Sequence, residues 1–252
     1  MMAGAGPTGK PLCVAGMLGA SYNWPVSHIL VETCVQTVES AVLAARCGAD
    51  RLELCAALAV GGVTPGPGLL RAVRTRIDLP LQVLIRPRAG DDRADAGLLE
   101  AMRFDIAEAR RAGADGVVVG VLTADRSLDR VATARLIEAA RPLTVTFHRA
   151  VDRTPDLGAA VATLVELGVD RVLTAGGAEG AEAGLSGLAG LMRRFGPAIV
   201  VLAGGRVRAD NVRRIIRESG VREVHLGPTL PGNGELDGPE LVATIGNLAR
   251  ER

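Results

Sequence analysis

Residues 48–55 read Gly48-Ala-Asp-Arg-Leu-Glu-Leu-Cys55, and this stretch holds both the end of a helix and the whole of a strand. Glycine is the usual residue just past a helix end, where the backbone turns left-handed. The run that follows is short and mostly apolar, as a strand requires. The same opening returns as Gly113-Ala-Asp, Gly168-Val-Asp and Gly220-Val-Arg, each ahead of another short apolar run. Between these copies stand Pro80, Pro142 and Pro197, and each precedes a further run. Proline stops the preceding helix and can open a strand. The alternation predicts eight strands, at 29–34, 51–55, 81–86, 116–121, 143–148, 171–174, 199–203 and 223–226. The segments between them are rich in Ala, Leu, Arg and Glu and read as helices, the last from about 239 to 249. Strand alternating with helix means parallel βαβ units. A (βα)2 unit used four times, in a chain of 252 residues, fits one closed (β/α)8 barrel of TIM type. An open doubly wound sheet would place a Gly-rich loop after the first strand, whereas here that strand leads into Cys34-Val-Gln-Thr37.

Composition agrees with an α/β fold. Hydrophobic residues make up 48% and aromatics only 2%, so the core must be built from Ala, Val, Leu and Ile. With 29 basic and 28 acidic residues, the chain has no charge excess to draw it to nucleic acid or an anionic membrane. No apolar run approaches the roughly 20 residues of a bilayer span. The four cysteines, Cys13, Cys34, Cys47 and Cys55, form no CxxC pair, which argues against a zinc knuckle or a disulfide scaffold and for a reduced, cytoplasmic setting. The apolar stretch 12–20 behind Lys10 is short and contains two glycines, a poor leader peptide. We read residues 1–27 as an extension without fixed structure and 28–252 as a single barrel domain. A homo-oligomer is compatible with the sequence, which does not define one.

In such barrels chemistry sits at the C-terminal ends of the strands. The unusual residues fall there: Glu32 and Cys34, Glu53 and Cys55, Arg86 with Arg88, His148 with Asp152 just beyond, and His225. Charged groups in apolar strands are costly to bury unpaired. Glu32 and Glu53 therefore belong to a polar site or to ion pairs inside the barrel, with Arg86 as the expected partner. Glu32, Glu53, Arg86, His148, Asp152 and His225 together supply acids, bases and an anion clamp, with His148 or Glu53 as the general base. Arg88 and the glycine pairs Gly176-Gly177 and Gly204-Gly205 suggest a phosphate or carboxylate subsite. Period two puts Glu32 with Cys34 and Glu53 with Cys55 on single faces. The two cysteines could offer thiolates to Cu(I), or simply be small buried hydrophobes.

Several of these segments together resemble the CutC family, known as copper homeostasis proteins. They are Val31-Glu-Thr-Cys34, Gly48-Ala-Asp-Arg-Leu-Glu-Leu-Cys55, Gly61-Gly-Val-Thr-Pro65, Ile85-Arg-Pro-Arg88, Thr146-Phe-His-Arg-Ala150 with Asp152, Arg171-Val-Leu-Thr174 and Glu223-Val-His225. The resemblance implies a barrel, a cytoplasmic location and copper handling, with Cys34 and Cys55 matching cysteines suspected of holding Cu(I) and no organic cofactor. Thr33 stands where the family often has a second cysteine, and Arg86-Pro-Arg-Ala-Gly-Asp-Asp92 replaces its Arg-Pro-Arg-Gly-Gly-Asp-Phe. Two functions therefore stand at this point. One is a cytoplasmic Cu(I)-binding protein. The other is an enzyme doing acid/base chemistry on a small anionic metabolite, phosphorylated or carboxylated.

Overall fold

The computed structural model describes residues 28–227 and 236–249; the expected extension at 1–27 lies outside them. Eight parallel strands close into a barrel in sequence order: β1 Leu30–Val35, β2 Arg51–Leu54, β3 Leu81–Leu84, β4 Gly116–Val119, β5 Thr144–Phe147, β6 Arg171–Thr174, β7 Val200–Gly204 and β8 Glu223–Leu226. The α-helices that alternate with them among the described residues are α1 Val38–Arg46, α2 Pro67–Arg74, α3 Ala96–Arg111, α4 Arg130–Ala140, α5 Leu157–Glu166, α6 Leu185–Phe195, α7 Val212–Ser219 and α8 Gly238–Ala249. The (β/α)8 expectation holds, and each strand falls within or almost on its predicted run.

The punctuation works as the sequence implied. Gly48, Gly113, Gly168 and Gly220 all take positive φ, between +74° and +93°, where a side chain would be strained. The aspartate two places after the first three has its own role. Asp50, Asp115 and Asp170 accept hydrogen bonds from the backbone N–H groups of Val31, Leu81 and Val145, at 2.8, 2.9 and 2.8 Å. Each thus ties the start of its own strand to the odd-numbered strand before it, and each also meets a nitrogen-bearing side chain, His28, Arg74 or Arg141. Helices α3, α4 and α5 begin on Asp95, Asp129 and Asp156, whose carboxylates accept the free N–H groups of the first turn.

Period two divides the strands into two environments. Val31, Leu52, Leu54, Val83, Val117, Val145, Val172, Val201 and Val224 belong to the apolar layer between strands and helices. The alternate positions belong to the barrel interior, and in its lower part they are charged. Arg51 binds Glu32 through Nε and Glu223 through Nη2, the latter at 2.6 Å. Arg171 reaches the same Glu223 at 2.9 Å and the Thr146 hydroxyl at 3.1 Å. Gln82 and Thr144 bond at 3.2 Å, in space left by Gly116, where a Cβ would lie 2.0 Å from Gln82 Oε1. The interior base is thus a hydrogen-bonded electrostatic plug, not a stack of branched aliphatics.

Candidate functional site

Above this plug a cavity of about 910 Å³ opens at the C-terminal ends of the strands. Its floor is built by register. Pairing of β1 with β2 sets Cys34 opposite Glu53, and pairing of β1 with β8 sets Glu32 opposite His225. His225 consequently lies between two carboxylates, with Nδ1 2.8 Å from Glu32 Oε1 and Nε2 3.6 Å from Glu53 Oε2. One donor atom from each of Glu32, Glu53 and His225 falls within 4.8 Å of the others, and all three residues are buried. Arg86, the expected partner of these glutamates, does not reach them. Arg51 neutralises Glu32, and His225 faces Glu53.

The environments separate the three groups. Burial opposes ionisation of Glu32, but the Arg51 charge and the hydrogen bond to His225 outweigh it and hold the carboxyl well below its ordinary range. Burial pushes Glu53 up to about 7, with the Glu32 charge adding to it and His225 opposing. Burial also works against a charged His225, yet hydrogen bonds to Cys34 and Glu32 and the charges of both glutamates raise it well above its usual value. Cys34 and Cys55 sit beside this triad in a small apolar cluster with Leu84 and Val118, separate from the main core. Burial raises both thiols, and the Glu53 charge raises Cys55 further, so both are protonated at neutral pH. Cys34, Cys55, Glu53 and His225 all line the cavity. Cys47 is half-buried and does not.

The other expected residues divide. His148, Arg86 and Asp152 line the same cavity. Arg86, however, staples two loops: Nε binds Asp92 at 3.2 Å, Nη1 the Gly62 carbonyl at 2.7 Å and Nη2 the Gly90 carbonyl at 2.8 Å. Asp152 accepts from the Thr174 hydroxyl and from the N–H groups of Ala175 and Gly177, while Arg149 closes its outer side at 3.0 Å. The anion expected at Gly176-Gly177 is therefore internal: the Gly177 N–H holds the Asp152 carboxylate, and the Gly176 N–H binds Thr174 Oγ1 at 2.9 Å. A Cβ on Gly204 would strike Leu173 at 2.4 Å, and one on Gly205 would lie 2.9 Å from the Arg149 guanidinium, so both glycines serve close approach. Arg88 is half-exposed, pairs with Asp91 and lies outside the mouth cavity. Sequence reasoning missed Arg51, Arg171, Glu223, Asp92 and Arg153. The first three open their strands on the Glu53 or His225 face, a signal that period two could have shown.

A closed (β/α)8 barrel with a charged base and a thiol-, carboxylate- and imidazole-bearing cavity at its C-terminal mouth is a barrel of the TIM type. The chain belongs to the CutC family, whose model matches residues 29–229. It is 45% identical over 196 residues to the human copper homeostasis protein cutC homolog, covering 78% of this chain and 72% of that one. It is 43% identical to a family protein CutC of Caulobacter vibrioides, covering 81% and 84%. The CutC structure from Streptococcus agalactiae superposes with a TM-score of 0.75 at 31% identity, over 78% of this chain and 97% of that one. Phosphoribosyl anthranilate isomerase from Thermococcus kodakaraensis shares the fold, with a TM-score of 0.61 at 17% identity over 89% and 100% of the two chains.

Proposed function

We propose that this chain is a copper-handling protein of the cytoplasm, binding one Cu(I) ion as cargo through Cys34 and Cys55. The observation that carries this reading is the joint burial of two free thiols beside an imidazole on the floor of one cavity. Two sulfurs in apolar surroundings suit a soft monovalent ion, whereas Glu32 and Glu53 are hard donors better suited to other metals. Because both thiols are protonated in the free protein, binding must release protons, and affinity rises with pH. The relatives' names, which speak of copper homeostasis, support the same reading. Competition against a chromophoric Cu(I) chelator tests it. One equivalent bound by the wild type, and none by a folded Cys34→Ser/Cys55→Ser variant, is the expected result. Full binding by the double variant refutes the site.

One observation favours a second reading. Glu53, held near 7 on a cavity floor beside His225, is matched to proton transfer at neutral pH. An acid/base enzyme acting on a small anionic metabolite would use Glu53 as the base. Turnover in a metabolite screen that survives Cys34→Ser/Cys55→Ser and fails in Glu53→Gln would establish it.

A further inference from the structure

The cavity has a second polar end, at β5 and the 3-10 turn Arg149–Arg153, away from the thiols. His148 Nδ1 accepts a hydrogen bond from the Ala150 N–H at 3.1 Å. An imidazole that accepts through Nδ1 carries its proton on Nε2. That Nε2–H is buried and has no hydrogen-bond partner among the described residues. Asp92 Oδ1 is 3.9 Å away, too far to serve. The ring cannot easily turn elsewhere, because it lies against Gly120, where a Cβ would come within 2.2 Å of it. A buried donor without an acceptor costs about 1–3 kcal/mol, so it calls for a partner from outside the chain, a water, an ion or a ligand.

The charge around this donor is positive. Asp92 accepts a hydrogen bond from Arg86 on Oδ1 and is ion-paired with Arg153 through Oδ2, which accepts no hydrogen bond among the described residues. The neighbouring Asp91 is shared by Arg88 and Arg93 at 2.9 and 2.6 Å. Beside the ring two guanidinium groups, Arg86 and Arg153, thus meet one carboxylate, and Arg153 lines both the main cavity and a smaller one beside it. Burial and the charge of Arg86 hold His148 neutral, so it adds a donor without adding to the charge.

We propose that His148 Nε2–H and Arg153 form a binding site for an oxyanion, the phosphate or carboxylate end of a small molecule that enters the barrel mouth. The anion accepts from His148 and shares Arg153 with Asp92. The site stands independently of the thiol pair, and it would serve a bound metabolite whether or not copper is carried below it.

Titration of the copper-free protein with inorganic phosphate, and separately with malonate, tests the site through the ring nitrogen resonances of His148 and through thermal stability. We expect one anion to move the Nε2 signal saturably and raise the melting temperature. Affinity should fall roughly tenfold or more in His148→Ala and in Arg153→Gln. It should also fall in Gly120→Ala, which displaces the ring while keeping both side chains. A phosphate response identifies a phosphate ester as the ligand class, and a response to malonate alone identifies a carboxylate. No movement of His148 with either anion overturns the proposal, as does an equal response in wild type and all three variants, which would be a general salt effect. Neither result bears on Cu(I) binding at the floor, so the two readings fail separately.

Discussion

His148 is neutral in the folded chain, where burial and Arg86 lower it from 6.5 to about 4. An unfolded chain takes up a proton there as pH falls below 6.5, and the folded one does not. The contribution to stability is therefore complete above pH 6.5 and is lost progressively toward pH 4, reaching about 2 kcal/mol at pH 5. Urea midpoints measured from pH 7.5 to 4.5 should fall more steeply for the wild type than for His148→Gln; parallel curves would show that the ring titrates normally. At this scale the sequence was informative about identity and less so about partnership. Glu32, Glu53, His148 and His225 stood out because ionisable groups in apolar strands demand an explanation. The partner of Glu32 did not, because an arginine at the first position of a strand looks like a solvated flank. Arg86 misled for the converse reason: its position at a strand end is that of an anion clamp, and only the loop carbonyls of Gly62 and Gly90 reveal that it is a staple.

Among the elements, the Gly-x-Asp turn is the unit that repeats. The glycine is legible because only one residue type tolerates its backbone well. The aspartate is legible as a repeat but not as a bond, because its acceptor role depends on which strand lies alongside. In the closed barrel that strand is always the odd-numbered one before it, so Asp50, Asp115 and Asp170 do one job in three places. Asp115→Ala leaves the Leu81 N–H without its acceptor and should cost about 1–3 kcal/mol, measured by urea unfolding. A neutral result would mean that water or a shifted neighbour replaces the carboxylate. The fourth copy places Arg222 at the aspartate's position, and the sequence already marked it as the exception.

For the whole molecule, closure and interior charge are one property. Strand count followed from punctuation alone, but the filling of the barrel did not, since inward and outward faces differ only by a one-residue phase. Arg51 joins Glu32 of β1 to Glu223 of β8 across the closing pair of strands. Arg51→Met would leave Glu32 with His225 alone and Glu223 with Arg171 alone, and removal of one partner from such a buried network costs up to about 3–5 kcal/mol. Calorimetry should show a large loss of melting temperature; a loss of a degree or two would mean that water enters the base. The two halves of this network are far apart along the chain, His225 lying 193 residues from Glu32. A ribosome therefore delivers Glu32, Arg51 and Glu53 long before the strand that completes them. Arg51 can meet Glu32 as soon as β1 pairs with β2, but until β8 emerges the barrel stays open on one side and the network incomplete. Drying of the barrel base therefore waits for β8, because the carboxylate of Glu223 and the imidazole of His225 arrive with it.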